Sequence, residues 1–163
     1  MNFHKLSYFD TANGQGIGTV VWVSGCAHHC PGCHNPQTWD KDSGKLFTDS
    51  DLEEIVVSLT NPHVKRLTLS GGDPLYPTNI PCCNRIVQTV KKVFPEKKIW
   101  LYTGYIWENI ELLPIVQYVD VLVDGEFQKD KKDITLDFCG STNQRVIDVQ
   151  KSLKNGYVVL WRA

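Results

Sequence analysis

Val20-Val21-Trp22-Val23-Ser24-Gly25-Cys26 joins an apolar, β-branched run to the first of three closely spaced cysteines. Such a run is typical of a strand that is buried on both faces. Similar runs follow at Arg66-Leu67-Thr68-Leu69, Ile99-Trp100-Leu101-Tyr102 and Val119-Asp120-Val121-Leu122-Val123. The sequence therefore predicts four buried strands.

Segments with helical periodicity separate these strands. Asp51–Thr60 has apolar residues at helical spacing, and Ser50 with Glu53 is typical of a capping box. Pro81 is placed to open a second helix, and Trp107–Leu113 is predicted as a shorter third. Strands that alternate with helices favour an α/β fold with a parallel sheet.

Length and composition limit the class of protein. The 163 residues fit one domain without repeats, and 17 Lys and Arg balance 18 Asp and Glu. This balance gives no basis for binding nucleic acid or anionic lipid. The first residues lack a secretory signal, and no stretch approaches the roughly 20 apolar residues that span a bilayer. We expect a cytoplasmic protein in which the clustered cysteines, among the six of the chain, bind metal or do chemistry rather than form disulfides.

Polar or glycine-rich motifs follow each predicted strand. They are Cys26 after the first, Gly71-Gly72-Asp73-Pro74 after the second, Thr103-Gly104 after the third and Asp124-Gly125 after the fourth. Parallel sheets bind ligands at the carboxyl ends of their strands, so one shared site is predicted there. Beyond Phe127 the pattern weakens, although Tyr157–Trp161 is predicted as a last strand.

Cys26, Cys30 and Cys33 are the candidate metal ligands. Iron–sulfur clusters usually take four Cys thiolates, so a loop with three can leave one iron free for a substrate. The alternative is a structural zinc site that adds one histidine, chosen from His28, His29 and His34. The remaining thiols are interpreted as buried free cysteines isolated from this loop, namely Cys82, Cys83 and Cys139.

Motifs in a fixed order cover most of the chain. They are Asn13-Gly14-Gln15-Gly16, Trp22-Val23-Ser24-Gly25-Cys26, His28, Cys30-Pro31-Gly32-Cys33, Asn35-Pro36, Thr38-Trp39, Leu69-Ser70-Gly71-Gly72-Asp73-Pro74-Leu75, Tyr102-Thr103-Gly104-Tyr105, Val123-Asp124-Gly125 and Gly140-Ser141-x-Asn143-Gln144. Cys-x₃-Cys-x₂-Cys after a strand resembles the radical S-adenosylmethionine (SAM) signature. The whole set resembles the activating proteins of anaerobic ribonucleoside-triphosphate reductases.

This resemblance implies a fold and a reaction. The fold is a small, truncated radical SAM partial (β/α) barrel with a parallel sheet, forming a single domain over residues 1–163. A [4Fe-4S] cluster on Cys26, Cys30 and Cys33 binds SAM, and no further catalytic residue is expected. The partners implied are the large reductase subunit, in which a glycine loses a hydrogen atom, and a flavodoxin-like electron donor. A heterotetramer with the reductase is expected.

The resemblance also implies SAM contacts. The Gly71, Gly72 and Asp73 segment would receive the amino group, although a plain turn explains it too. Gly32, Cys33 and His34 would lie against the adenine, with His34 in place of the usual Tyr. Ribose or methionine contacts would come from Thr103 and Asp124, and Asp124 is equally suited to cap the next turn. Two other positions depart from the family, where many members have Arg instead of Gly18 and of Cys139.

Two other functions share some of these motifs, and one other fold is excluded by them. Another glycyl-radical activase, such as that of pyruvate formate-lyase, fits the same chemistry, but the short chain and the Trp22–Cys26 segment favour the reductase activator. A non-catalytic zinc or iron–sulfur module would not need the Gly71–Asp73 segment. The glycines of Asn13–Gly18 are not a dinucleotide fingerprint, because a strand follows them where a helix is required.

Overall fold

A seven-stranded mixed sheet forms the centre of the computed structural model, which describes residues 1–163. The strands are β1 (Asn2–Asp10), β2 (Ile17–Val23), β3 (Lys45–Leu46), β4 (Val64–Gly71), β5 (Lys98–Tyr102), β6 (Val121–Asp124) and β7 (Arg145–Asp148). Their order is β3-β1-β2-β4-β5-β6-β7. β2, β4, β5 and β6 are parallel. The predicted α/β class is confirmed, and the sheet is open because its edge strands, β3 and β7, do not pair with each other.

Three of the strands are antiparallel to their neighbours, and the sequence did not predict them. β1 pairs with β2 and β3, and β7 pairs with β6. β1 was missed because it mixes polar and apolar residues and is only partly buried. The strand predicted at Tyr157–Trp161 is wrong, since this segment makes only one isolated bridge, between Leu160 and Ile147.

Four helices follow the strands: α1 (Asp49–Leu59), α2 (Ile80–Val93), α3 (Trp107–Ile110) and α4 (Val149–Asn155). The predicted cap of α1 is wrong, because the helix begins earlier and Thr48 and Asp51 form the capping box. The predicted third helix also ends early, at Ile110, and Pro114 then opens a 3₁₀ turn. None of the helices has both the length and the apolar character needed to cross a membrane.

The two faces of the parallel strands differ. Successive side chains of a strand point to opposite faces, so Leu67 and Leu69 of β4 join the main hydrophobic core with residues of α1 and α2. Arg66, Thr68 and Ser70 alternate with them and occupy the other face, where they are also buried. The candidate site lies on this second face, which carries the buried polar groups, at the carboxyl ends of the parallel strands.

Candidate functional site

The three clustered cysteines line one cavity at the carboxyl ends of the parallel strands. Its volume is about 510 Å³, within the range of roughly 300–1,000 Å³ that suits small ligands and cofactors. The thiols of this cysteine loop, Cys26–Cys33, are free and partly buried. The amides of Gly25 and Cys26 anchor its start by donating to the carbonyls of Thr38 and Trp39, at 2.7 and 3.0 Å.

Gly71 and Gly72 join the end of β4 to this loop. The Gly72 amide donates to the Val23 carbonyl and the Asp73 amide to the Gly25 carbonyl, both at 2.8 Å. A Cβ on Gly72 would lie only 2.6 Å from that Gly25 oxygen, and Gly71 has a φ of +103°, which favours glycine. Close packing against the cysteine loop therefore requires both glycines.

The Asp73 carboxylate joins the ends of β4 and β5. It is 1% exposed and accepts hydrogen bonds from the Thr103 hydroxyl at 2.9 Å, the Gly104 amide at 3.0 Å and the Leu75 amide at 2.8 Å. Asp73 and Thr103 both line the cavity, as predicted. The Thr103 proton is directed at Asp73, so the hydroxyl offers only its lone pairs to a ligand.

His28 connects this carboxylate to a second one. Its Nε2 lies 2.9 Å from Asp73 Oδ2, and its Nδ1 lies 2.7 Å from Glu126 Oε1. The hydrogen bond to Asp73 raises the pKa of His28 against the opposing effect of burial, and Glu126 raises it further. A Cβ on Gly104 would lie 2.4 Å from the His28 ring. The sequence suggested His28 only as a zinc ligand, whereas both ring nitrogens face carboxylates.

The geometry does not favour a structural zinc site. No group of three or more His, Cys, Asp or Glu side chains surrounds a point that could hold one metal ion, and a structural zinc needs four ligands. The His29 ring packs on Trp39 instead, with ring centroids 4.7 Å apart. Three free thiols along a larger cavity fit an iron–sulfur cluster, for which thiolates are the usual ligands.

Two of the three residues predicted to contact adenine line the cavity. Cys33 and His34 belong to its wall, and Gly32 does not. A Cβ on Gly32 would contact Lys129 and Phe127 instead. Phe127 also lines the cavity, with its ring centroid 5.8 Å from that of His34. This side of the cavity therefore offers an aromatic pair for a flat group.

Asp124 is the last residue of β6, so it lies at a strand end as predicted, but it does not line the cavity. Its carboxylate is 1% exposed, accepts from the Trp107 amide at 2.8 Å and from Arg145 Nε at 3.1 Å. The Asp124 carboxylate therefore caps the first turn of α3. The structure does not bring Asp124 together with the other residues predicted to contact SAM.

The far side of the cavity contains residues that the sequence did not single out for it. Cys139 is a free thiol, as interpreted from the sequence, but it is only partly buried and lines the cavity. Gln144 accepts from the Gly140 amide and donates to the Gly125 carbonyl, both at 2.9 Å. These bonds fold residues 140–144 against the end of β6. The match of this segment to a family motif was the available signal. Four apolar or aromatic side chains also border the cavity, namely Trp22, Tyr102, Leu136 and Phe138.

Comparison with known proteins agrees with this cavity. Residues 12–147 match the family model described as a 4Fe-4S single cluster domain, which supports an iron–sulfur cluster in this chain. The anaerobic ribonucleoside-triphosphate reductase-activating protein of Enterobacteria phage T4 is 43% identical over 146 residues, which cover 90% of this chain and 93% of the phage protein.

Bacterial proteins with the same name are equally similar. That of Escherichia coli (strain K12) is 42% identical over 150 residues, covering 90% of this chain and 97% of that protein. That of Vibrio cholerae serotype O1 is 42% identical over 151 residues, covering 88% and 96%. The chain belongs to the family of anaerobic ribonucleoside-triphosphate reductase-activating proteins.

Proposed function

We propose that this chain activates an anaerobic ribonucleoside-triphosphate reductase by reductive cleavage of SAM at a [4Fe-4S] cluster. The observation that carries this proposal is the single cavity shared by three free cysteines and the Gly71–Asp73 turn. A cluster and SAM bound there would supply a one-electron cleavage to methionine and a 5′-deoxyadenosyl radical. Transfer of a hydrogen atom to this radical from a glycine of the large reductase subunit would give 5′-deoxyadenosine and a glycyl radical.

Cys26, Cys30 and Cys33 would hold the cluster and would leave its fourth iron without a protein ligand. Burial raises the pKa of the Cys26 and Cys30 thiols. Metal ligands must be deprotonated, so it is the cluster that favours the thiolate form here. Loading the cluster should therefore release protons.

The end of β4 positions SAM. Gly71 and Gly72 line the cavity, and their main chain can receive the amino group. Asp73 already accepts several hydrogen bonds, so its part is to hold this turn and to place Thr103. His34 and Phe127 flank the adenine.

The chain also protects the radical. Trp22, Tyr102 and Phe138 give the cavity a largely apolar wall, and a reactive intermediate survives only where water is kept out. The reacting glycine must enter this cavity, so the large reductase subunit docks over its mouth. A flavodoxin-like donor supplies the electron, and the complex is a heterotetramer.

Electron paramagnetic resonance (EPR) of the anaerobically reconstituted, reduced protein tests the proposal. We expect a [4Fe-4S]⁺ signal that changes shape when SAM is added. Cys26→Ala, Cys30→Ala and Cys33→Ala should each lose the signal, whereas Cys82→Ala, outside the cavity, should keep it. A reconstituted protein that carries one zinc, or that shows no response to SAM, would leave a non-catalytic binding module.

The partner is tested with the complete system. Incubation with SAM, a reduced flavodoxin and the reductase should give a glycyl EPR signal, and pyruvate formate-lyase in its place should give none. The names of the relatives favour this outcome. A signal only with pyruvate formate-lyase would reverse the assignment of the partner.

A further inference from the structure

Gly18 of β2 and Arg66 of β4 are neighbours in the parallel register. Their side chains would start on the same face, since a Cβ on Gly18 would lie 2.4 Å from Arg66 Cγ and 2.7 Å from Cζ. The space beside Gly18 is therefore filled by the arginine of the next strand. Arg66 is 0% exposed, which is rare for arginine and requires partners for its charge.

The hydrogen-bond partners of Arg66 hold Asn13 in place. Arg66 donates to Asp10 Oδ1 at 2.7 Å, to the Asp10 carbonyl at 3.0 Å and to the Thr68 hydroxyl at 2.6 Å. Asp10 in turn accepts from the Asn13 amide and from Asn13 Nδ2, both at 2.9 Å. Thr68 donates to the Asn13 carbonyl at 2.8 Å. The guanidinium thus fixes the donor and the acceptor of the Asn13 main chain together.

Ala12 and Asn13 line the same cavity as the cysteine loop. The loop that continues from them packs closely on the sheet, because a Cβ on Gly14 would lie 2.8 Å from the Trp100 ring and 2.9 Å from Arg66. We call residues 12–14 the floor loop: Ala12 and Asn13 form part of the cavity wall, and Gly14 packs on Arg66 and Trp100. This wall of the cavity therefore depends on the ion pair of Arg66 and Asp10, neither of which lines the cavity itself.

A purely structural role explains this ion pair poorly. A buried charge pair is often no more stabilising than apolar residues of the same volume. Arg66 Nε is also buried without a hydrogen-bond partner, which adds an unfavourable desolvation. The fold therefore keeps a buried guanidinium at position 66 although its desolvation is unfavourable. The structural result of this guanidinium is a floor loop held in one place.

We propose that Arg66 is a positioning residue for the cavity. The floor loop needs a guanidinium between Asp10 and Thr68, whether the arginine that supplies it belongs to β4 or to β2. Residues 18 and 66 are paired across adjacent parallel strands, which lie about 4.8 Å apart. An arginine at position 18 with a glycine at position 66 would therefore reach the same space, between Asp10 and Thr68. The part of this inference that concerns SAM rests on the function proposed above.

The test is a set of three variants, Arg66→Gly, Gly18→Arg and the double exchange. Lys65→Gly is the matched control, since it removes a cation from the adjacent, exposed position of β4. Two quantities are measured: hydrogen exchange of the Asn13 amide in the protein without SAM, and the affinity for SAM of the reconstituted, reduced protein followed by EPR. With the reductase present, the ratio of 5′-deoxyadenosine to glycyl radical is added.

Arg66→Gly should expose the Asn13 amide to exchange and weaken SAM binding about tenfold. It should also raise the number of 5′-deoxyadenosine molecules formed per glycyl radical, because a displaced cavity wall lowers the yield of the hydrogen transfer by up to about 100-fold. Gly18→Arg should be impaired as well, since its Cβ overlaps Arg66. The double exchange should recover protection and affinity to near those of Lys65→Gly, a non-additivity expected only for groups in contact.

The inference is overturned if the double exchange is no better than the single variants, including the case in which it does not fold. It is also overturned if Arg66→Gly binds SAM as the control does, or if the double exchange restores Asn13 protection without restoring affinity. Failure of the unaltered protein to respond to SAM would instead remove the proposed function. Hydrogen exchange of Asn13 would then still decide whether the guanidinium site holds the floor loop.

Discussion

Asp73 and Asp124 lie near the ends of two parallel strands but have different surroundings. Asp73 lies two residues after β4 and Asp124 is the last residue of β6, and each is 1% exposed. Asp73 lines the cavity and gathers the Thr103 hydroxyl and the His28 ring. Asp124 does not line it and is taken up by Arg145 and the first turn of α3. The end of a parallel strand places a carboxylate near the site, but the partners that follow decide what it can do.

Asp73→Asn should have the largest effect and would test the first half of this comparison. An amide puts an N–H among groups that are themselves donors, and breaking a buried charged contact costs about 3 kcal/mol or more. We expect the free energy of unfolding to fall by that amount and the response of the EPR signal to SAM to be lost. Urea unfolding and EPR measure the two effects. An unchanged response to SAM would show that the Asp73 network does not organise the cavity.

Asp124→Asn should separate stability from SAM binding. The variant weakens the contacts to Arg145 and the Trp107 amide. Because the Arg145 side chain is 32% exposed and can be solvated again, we expect a loss of only about 1–2 kcal/mol in unfolding free energy. The affinity for SAM should stay within about twofold, which is less than 1 kcal/mol. If a folded Asp124→Asn protein no longer responds to SAM, the ribose or methionine contact predicted from the resemblance is correct and our distinction between the two carboxylates fails.

The sequence predicted the features that are encoded locally. Four buried strands are visible as apolar runs, and the cysteine loop and Gly71-Gly72-Asp73 are placed by the strands before them. The sequence could not show that Gly72 packs on Gly25 or that His28 reaches Asp73, which lies 45 positions away. Such contacts depend on how the strands are ordered in the sheet.

The sequence also could not predict the antiparallel strands that flank the parallel ones, or the positions of Cys139 and Gly18 in the fold. β1 and β7 lack a continuous apolar run because they flank the buried parallel strands. Cys139 lines the cavity next to residues 140–144, which fold against the end of β6 by a contact between Gln144 and Gly125. The glycine at position 18, where many family members have Arg, could not be explained from the sequence, because the space beside it is filled by Arg66 of the neighbouring strand.

His28→Gln would sharpen the account of the Asp73 network. Glutamine can keep one hydrogen bond to Asp73 but cannot also reach Glu126 in the same geometry, so we expect a loss of about 1 kcal/mol in unfolding free energy. The iron content per chain should stay unchanged, in contrast to Cys30→Ala in the same loop. Iron analysis after reconstitution makes the comparison, and loss of iron from His28→Gln would make this histidine a metal ligand after all.

Glu108→Gln should have the smallest effect, and it concerns the outer end of the Asp124 network. The hydrogen bond from Arg145 lowers the pKa of Glu108 below its ordinary value of 4.5. A lowered carboxyl pKa stabilises the fold at pH values above 4.5, and this contribution is lost as the pH falls through the folded-state pKa. Because the Glu108 side chain is 53% exposed, water screens the pair and the effect is about 0.5 kcal/mol.

Urea unfolding of both proteins from neutral pH into acid should therefore show a small difference that disappears below the folded-state pKa. Glu111→Gln, which removes a charge from the end of the same short helix, is the matched control and should not reproduce it. A difference that persists in acid would mean that Glu108 acts through packing rather than charge. In that case Arg145 would be held mainly by Asp124, and the contrast between the two buried carboxylates would rest on that single ion pair.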